Sequence, residues 1–490
     1  MESLLAITAT PSIRLSLIFL ASIASILLLT RLFTQWRYRR QLQQYLETSS
    51  SDKAQLILQP PQLPYTIPFL GNALSFLSTE PGLFFGQLFH THPRETGAVT
   101  LNLGSFSSNI VFNPHSVNAL FKDRQLSRQR TNIAMINKCF DVQIDQVKQY
   151  YSDASAEHVI NKEFLLKTER VNELTTHFVR VLSDTLAKDT GLFPANKEIG
   201  LYSWLRDRMF TASTTALMGQ HLLEMYPDLC TDFFNYDQEM LSFFFSIPTF
   251  LIRAAHKRRT KLLLKLEEWN RAMLAQCPEG KPCNSNGAVS WEPLYGSRLN
   301  RARQQFYANN DLTMKTRAGF DLGLLFGLSS NAIPATGWIL MHLFSPETDA
   351  TVYPRILAEL KTAQTADGRI DVPTLITLPL LNSVFHEVLR LYTDVLVTRD
   401  VDHDIVLPLD EAGTRSVMLA KDSMVMAPSY LGQHDASVWN TKEAPVEVFY
   451  AERFLVRDAE TGKSRFTLNN TTGKASYSLQ YSIFSRFRSC

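Results

Sequence analysis

The residues best able to do chemistry lie in the last third of the chain. In FHEVLRLYTDVLVTRDV, Glu387 and Arg390 stand three apart on a helical pattern. That spacing puts both side chains on one face, where they can form a hydrogen-bonded ion pair. Such a pair is common on solvated helix surfaces. What favours an internal scaffold is the ordered series that follows: Arg399, then His434, then Arg453 in the segment AERF. Upstream, AGFDLGLLFGLSSNAIPATGWILMHLF (Ala318 to Phe344) reads as a long apolar helix with no Asp or Glu near its centre. Pro334 removes a backbone donor from it and kinks it, opening a carbonyl where water can sit. Asn331 beside it can donate and accept hydrogen bonds but cannot supply a proton with a tuned pKa. The same kink can serve structure alone. Cys139, Cys230, Cys277, Cys283 and Cys490 are odd in number and contain no C-x-x-C pair. They point to reduced thiols rather than a disulfide framework or a zinc site.

The elements that must position these residues are mostly helical. GAVTLNL and SNIVFN alternate as two strands around Gly104-Ser105, a hairpin pattern. From Pro114 to about Thr393 the apolar residues recur with helical periodicity, as in VNELTTHFVRVLSDTLA, RTKLLLKLEEWNRAML and VYPRILAELKTA. A loop, CPEGKPCNSNG, interrupts the helices from Cys277 to Gly287, and an extended, Pro-punctuated region follows Tyr392.

With 490 residues, 45% hydrophobic and 20% charged, the chain can bury a large core and is not disordered. Its formal charge of +2 lacks the strong basic excess of a nucleic-acid binder. LSLIFLASIASILLL, from Leu15 to Leu29, is bounded by Arg14 and Arg31. It reaches the roughly 20 residues of a span only if Ile13, Leu32 and Phe33 join it while the arginines snorkel. A cleaved signal peptide is the competing reading, with Ala21 and Ala24 near the end of the apolar stretch. Glu2 and the cluster Arg31, Arg37, Arg39, Arg40 favour a signal anchor with a cytosolic body, short enough for an endoplasmic-reticulum bilayer. QPPQLPYTIPFLGNALSF then supplies a stiff proline hinge. The expected organisation is a lumenal N-terminus over 1–12, an anchor over 13–33, a polar segment and Pro-rich hinge over 34–72, and a catalytic domain over 73–490 that is truncated or altered after 474. MLSFFFSIPTFLI, followed by the basic run RAAHKRRTK, is either a second bilayer contact or a buried helix with a solvated neighbour.

Taken in order, the anchor, the hinge, the long apolar helix, E-x-x-R, Arg399 and AERF resemble the cytochrome P450 superfamily over essentially the whole chain. The resemblance implies a mainly α P450 fold with a small β region behind one transmembrane helix. It implies haem b as cofactor, NADPH-cytochrome P450 reductase as electron donor, and oxidation of a lipophilic terpenoid, sterol or polyketide at the endoplasmic-reticulum membrane. Glu387, Arg390 and Arg453 would form the structural triad behind the haem, with Ala451 in place of the usual Pro, and Arg399 would bind a haem propionate. N-x-x-P-A at Asn331 to Ala335 is similar to the branch of the bile-acid sterol hydroxylases and prostacyclin synthase, with Asn331 in the catalytic alcohol position. There is no W-x-x-x-R between Arg124 and Arg170, so another group must meet the second propionate.

The end of the chain departs from the family. Its ligand loop, F-x-x-G-x-R-x-C-x-G, uses glycines so that amides can approach the thiolate. Counting back from Cys490, Arg488 fits, but Ile483 replaces Phe and Arg486 replaces Gly. Cys490 is the candidate axial ligand, and a reading-frame change or unspliced intron after about Lys474 is the competing reading. Two further functions stay open: a P450-type isomerase needing no electron donor, and an inactive chain unable to hold haem.

Overall fold

The computed structural model describes residues 11–49, 56–78, 81–93, 96–104, 106–123, 126–152, 154–189, 198–277, 287, 289–458 and 462–468. Contacts gather the chain into two units, residues 1–128 with 394–431, and residues 129–393 with 432–490.

The first unit opens on a helix, Pro11–Ser49, whose apolar part is long enough to cross a membrane and has none of its most apolar window buried. The helix runs on through residues 34–49, the start of the polar segment read from the sequence. TQWRYRRQLQQYLETS contains no Gly or Pro and is rich in good helix formers, so nothing stops the helix at the apolar boundary. This second part is packed. Thr34 Oγ1 donates to the carbonyl of Tyr65 at 2.9 Å, Tyr45 Oη to that of Gln59 at 2.9 Å, and Tyr38 Oη meets His92 Nδ1 at 2.6 Å. The proline hinge is thereby tied back along the helix.

A four-stranded sheet carries Arg399. Its order is Ala98–Leu103, Phe106–Val111, Met424–Pro428, Leu396–Asp400. The first two strands form the expected hairpin, in register from Ala98 opposite Val111 to Leu103 opposite Phe106. Leu396–Asp400 runs antiparallel to Met424–Pro428 and sets Arg399 opposite Val425. A three-stranded sheet joins Leu56–Leu58, Arg415–Leu419 and Ile405–Pro408.

The second unit is helical. Gly319, Gly323 and Gly327 recur every four residues along the helix Met314–Ser329 and so share a face. A Cβ on Gly319 would sit 2.4 Å from Val142 Cγ2, and one on Gly323 would sit 3.2 Å from the Phe140 ring, so bare backbone admits the neighbouring helix Gln129–Phe140. The aromatic run after Met240 divides. Phe243, Phe244, Phe245 and Ile247 are buried, while Phe250 (66% exposed) and Leu251 (53%) face outward. Within the basic run, Arg258 pairs with Glu239, and Arg259 is buried against the Phe243 ring at 4.3 Å while donating to the carbonyl of Lys138 at 2.5 Å. Most of this stretch is therefore core. The loop after Cys277 lies largely outside the described residues.

Candidate active site

The helix Pro379–Tyr392 buries one face, including Glu387 and Arg390. Arg390 grips Glu387 with two parallel bonds, Nε to Oε2 and Nη2 to Oε1, each 2.8 Å. Arg453 Nε reaches Oε1 at 2.9 Å, and the backbone N–H of Tyr450 reaches the same oxygen at 3.1 Å. The remaining guanidinium donors find carbonyls. Arg390 bonds Gln433 at 3.0 Å, and Arg453 bonds Pro445 at 3.0 Å, Val448 at 2.8 Å and Trp439. Glu387 is 0% exposed, Arg390 2% and Arg453 6%, so these charges are compensated by partners rather than by water. Burial pulls the Arg453 guanidinium below its ordinary value, and Glu387 opposes that shift. The structure thus brings three of the sequence-predicted residues together as one buried clamp that fixes the segment 433–453.

Arg399, in the first unit, is half-buried; Nη1 donates to the carbonyl of Thr398 at 2.8 Å, and its guanidinium lies 5.6 Å from the centre of the Phe121 ring.

The long apolar helix is not one kinked rod. Met314–Ser329 stops, and Ala332–Leu343 begins after a break at Ser330-Asn331. Pro334 sits in the first turn of the second helix, where its missing N–H costs nothing, and the carbonyl of Ser330 loses the i+4 donor it would otherwise have had. Asn331, at φ −110°, caps the second helix without a side-chain bond and is exposed. Its backbone carbonyl accepts from Ala335 at 3.2 Å. Leu328, Ala332 and Ile333 on either side of the break line a cavity of about 650 Å³, together with Phe140, Leu174, Phe178, Met209, Gly323 and Gly327. Nothing lies within 4 Å of a Cβ built on Gly327, so that glycine opens onto the cavity. The wall is mostly apolar, with polar groups from Tyr150, Tyr151, Glu157, Asn161 and Arg303 and the hydroxyls of Thr175 and Ser213. Asn331 is not among the lining residues.

Sequence reading missed one acid at the break. Ser330 Oγ donates to Asp237 Oδ1 at 2.7 Å, across 93 residues of chain. No short-range pattern announces such a contact. Cys490 lies outside the described residues.

The cytochrome P450 family profile matches residues 61–469. Over 465 residues the chain is 28% identical to the cytochrome P450 monooxygenase efuG of Hormonema carpetanum, covering 89% of this chain and 78% of the relative. It is 29% identical over 423 residues to the monooxygenase fsoE of Humicola fuscoatra, covering 81% and 70%. Over 391 residues it is 24% identical to the 7-alpha-hydroxycholest-4-en-3-one 12-alpha-hydroxylase of Oryctolagus cuniculus, covering 77% and 72%. In fold it is similar to the retinoic acid-bound cyanobacterial CYP120A1, with a TM-score of 0.58, 19% identity, and 89% and 92% of the two chains covered.

The family binds haem through a cysteine thiolate, and the described residues meet that need in part. The apolar cavity beside the broken helix is of small-molecule size. Among the described cysteines, burial pushes the Cys139 and Cys230 thiols up to about 12, and Cys277 is buried. Cys490, the candidate axial ligand read from the sequence, lies outside the described residues. With the family profile spanning most of its length, a P450 fold and haem-protein relatives, this chain belongs to the cytochrome P450 family and is a cytochrome P450 monooxygenase.

Proposed function

We propose that this monooxygenase is anchored in the endoplasmic-reticulum membrane by the helix around Leu15–Phe33, with a cytosolic catalytic body, and oxidises a polycyclic lipid such as a terpenoid, sterol or polyketide of secondary metabolism. The observation that carries the reading is the cavity of about 650 Å³, lined mostly by aliphatic and aromatic side chains and Gly323 and Gly327. Small-molecule pockets span about 300–1,000 Å³, and a rigid multi-ring lipid fills such a space through apolar contact. The names of the relatives agree, since two are fungal monooxygenases and one is a sterol 12-alpha-hydroxylase.

In this reading haem, when bound, supplies the activation of dioxygen with two electrons passed from NADPH by its cytochrome P450 reductase. Arg399 is suited to a propionate because its guanidinium is permanently charged and presents a fork. Cys490 is the proposed axial thiolate. The clamp of Glu387, Arg390 and Arg453 holds the chain behind the ring. Asn331 offers a hydrogen bond at the helix break, and a proton must reach that point by another route.

The test is reconstitution of the full chain with the reductase and a panel of terpenoids, sterols and polyketides. The expected product carries one added oxygen, with nicotinamide oxidised in step. A product isomeric with its substrate, formed without nicotinamide, would replace this reading with an isomerase. Cys490→Ser is expected to abolish the red-shifted Soret band of the thiolate-bound ferrous carbonyl. Retention of that band would remove Cys490 from the site.

A further inference from the structure

Among the described residues the wall of the large cavity holds one cation, Arg303, on the helix Arg298–Asn309. Its guanidinium is tied down at one end. Nη2 donates to Tyr307 Oη at 2.5 Å and to the carbonyl of Phe320 at 3.2 Å, which fixes the group against the helix Met314–Ser329. The other end is open. Nε is shielded from solvent with no acceptor, and among the described residues no acceptor meets Nη1 and no carboxylate pairs with the group. Other guanidinium groups of this unit are matched by acids. Arg298 has Glu173, Arg259 has Asp141, and Arg390 and Arg453 share Glu387.

The carboxylates near Arg303 are engaged elsewhere. Asp321, next to Phe320 on the same helix, is fully enclosed and clamped by Asn270 Nδ2 at 2.8 Å and Gln304 Nε2 at 3.2 and 3.3 Å. Glu157 shares the cavity wall but stands beside the Tyr150 hydroxyl and forms no ion pair with Arg303. A guanidinium keeps its charge at any working pH, and in a mostly apolar wall an unmatched charge is costly. An incoming anion relieves that cost. A hydroxyl or ester offers only a neutral acceptor and leaves the charge unmatched.

We infer that Arg303 is a specificity-determining residue of the cavity and that the lipid it selects is an acid, a terpenoid, sterol or polyketide whose carboxylate is received at the open end of the guanidinium. The inference rests on the reading of this cavity as the substrate site. Phe320, Gly323 and Gly327 share one helix face and all line the cavity. With the carboxylate held beside Phe320, the apolar body lies along the two bare glycines, about 10 Å of helix at 1.5 Å per residue, toward Leu328, Ala332 and Ile333 at the break.

The test is a matched pair of probes, abietic acid and its methyl ester, titrated into the purified full chain by calorimetry at about pH 8, well above the carboxylate range. The parent should bind the acid about 10- to 100-fold more tightly than the ester, the span of one hydrogen-bonded charge. Arg303→Met should bind acid and ester alike. Partition into detergent is common to parent and variant and cancels from their ratio. Tyr307→Phe removes a bond that fixes Arg303 but leaves the guanidinium, so it should keep the preference for the acid. Glu157→Gln removes the like charge from the wall, so it should tighten the acid and leave the ester unchanged. Equal binding of acid and ester by the parent would overturn the inference while leaving the lipid cavity in place. A preference that survives in Arg303→Met would also overturn it. If Arg303→Met does not fold, Glu157→Gln decides, and an acid affinity unchanged from the parent would remove the carboxylate from this wall. A parent that binds neither probe would sink the cavity reading itself, and the inference with it.

Discussion

Replacing Glu387 by Gln isolates the clamp in one atom. The wild-type carboxylate accepts four hydrogen bonds, two from Arg390, one from Arg453 and one from the Tyr450 backbone, and it neutralises one of two buried guanidinium charges. Gln keeps the shape but turns one acceptor into a donor facing Arg N–H groups, and it removes the negative charge entirely. Two buried cations then face each other with no anion between them. Breaking a buried pair in this way costs about 3–5 kcal/mol, against a total stability of about 5–15 kcal/mol. Urea unfolding followed by circular dichroism should therefore show a much lower midpoint, and haem incorporation should fall with it, because the segment 433–453 loses its anchor. An unchanged midpoint would refute the reasoning, since it would mean that water reaches Glu387 or that the arginines have other anions.

Other outcomes follow from separate parts of the structure. Burial pulls His386 down to about 4, so between there and about 6.5 the unfolded chain binds a proton that the folded chain refuses, and stability falls as pH drops through that window by up to about 1.4 kcal/mol per unit. His386→Phe should flatten this slope in pH-dependent thermal melts. Deleting residues 1–32 should release the protein from microsomes in part, with Phe250 and Leu251 as the remaining apolar contact, and complete release without salt would remove that contact from the argument. Deleting residues 1–49 should also lower the melting temperature, because Thr34, Tyr38 and Tyr45 leave with their bonds to the first unit. Gly327→Phe should keep the fold, since its Cβ meets nothing within 4 Å and Gly is the poorer helix former, yet it should exclude polycyclic lipids from the cavity in ligand-binding assays.

What the sequence makes legible is local or ordered along the chain. Glu387 and Arg390 share a helix face by spacing, and the order of the segments brings in Arg453, 66 residues beyond Glu387. The hairpin was readable from its alternation. Three features were not readable, each for a physical reason. Apolar residues run together in FFFSIPTFL, and hydrophobicity alone cannot tell core from bilayer contact. Pro334 announces a disturbance, but its effect falls upstream at Ser330-Asn331, because a proline is tolerated in a helix's first turn and the chain restarts the helix there. The Asp237–Ser330 bond depends on how separate helices pack, which periodicity does not encode. In the tail, the departure of Ile483 and Arg486 from the ligand-loop pattern is visible in the sequence alone.

Three acids of the second unit, Glu387 and Asp321 buried and Asp237 half-buried, differ in how their charge is met. Glu387 has two cations and four donors, Asp321 has two side-chain amides, and Asp237 has one hydroxyl and two helix C-termini. The sign of a neutral substitution therefore differs between them. Glu387 stabilises the fold as an anion, so Gln must destabilise it. Asp237 has a folded value above its unfolded one, so ionising it costs stability as pH rises from the ordinary carboxylate range toward that raised value. Asn removes that cost, so at neutral pH Asp237→Asn should melt no lower than the parent. A fall in the midpoint of Asp237→Asn like that of Glu387→Gln would show that Asp237, like Glu387, stabilises the fold as an anion.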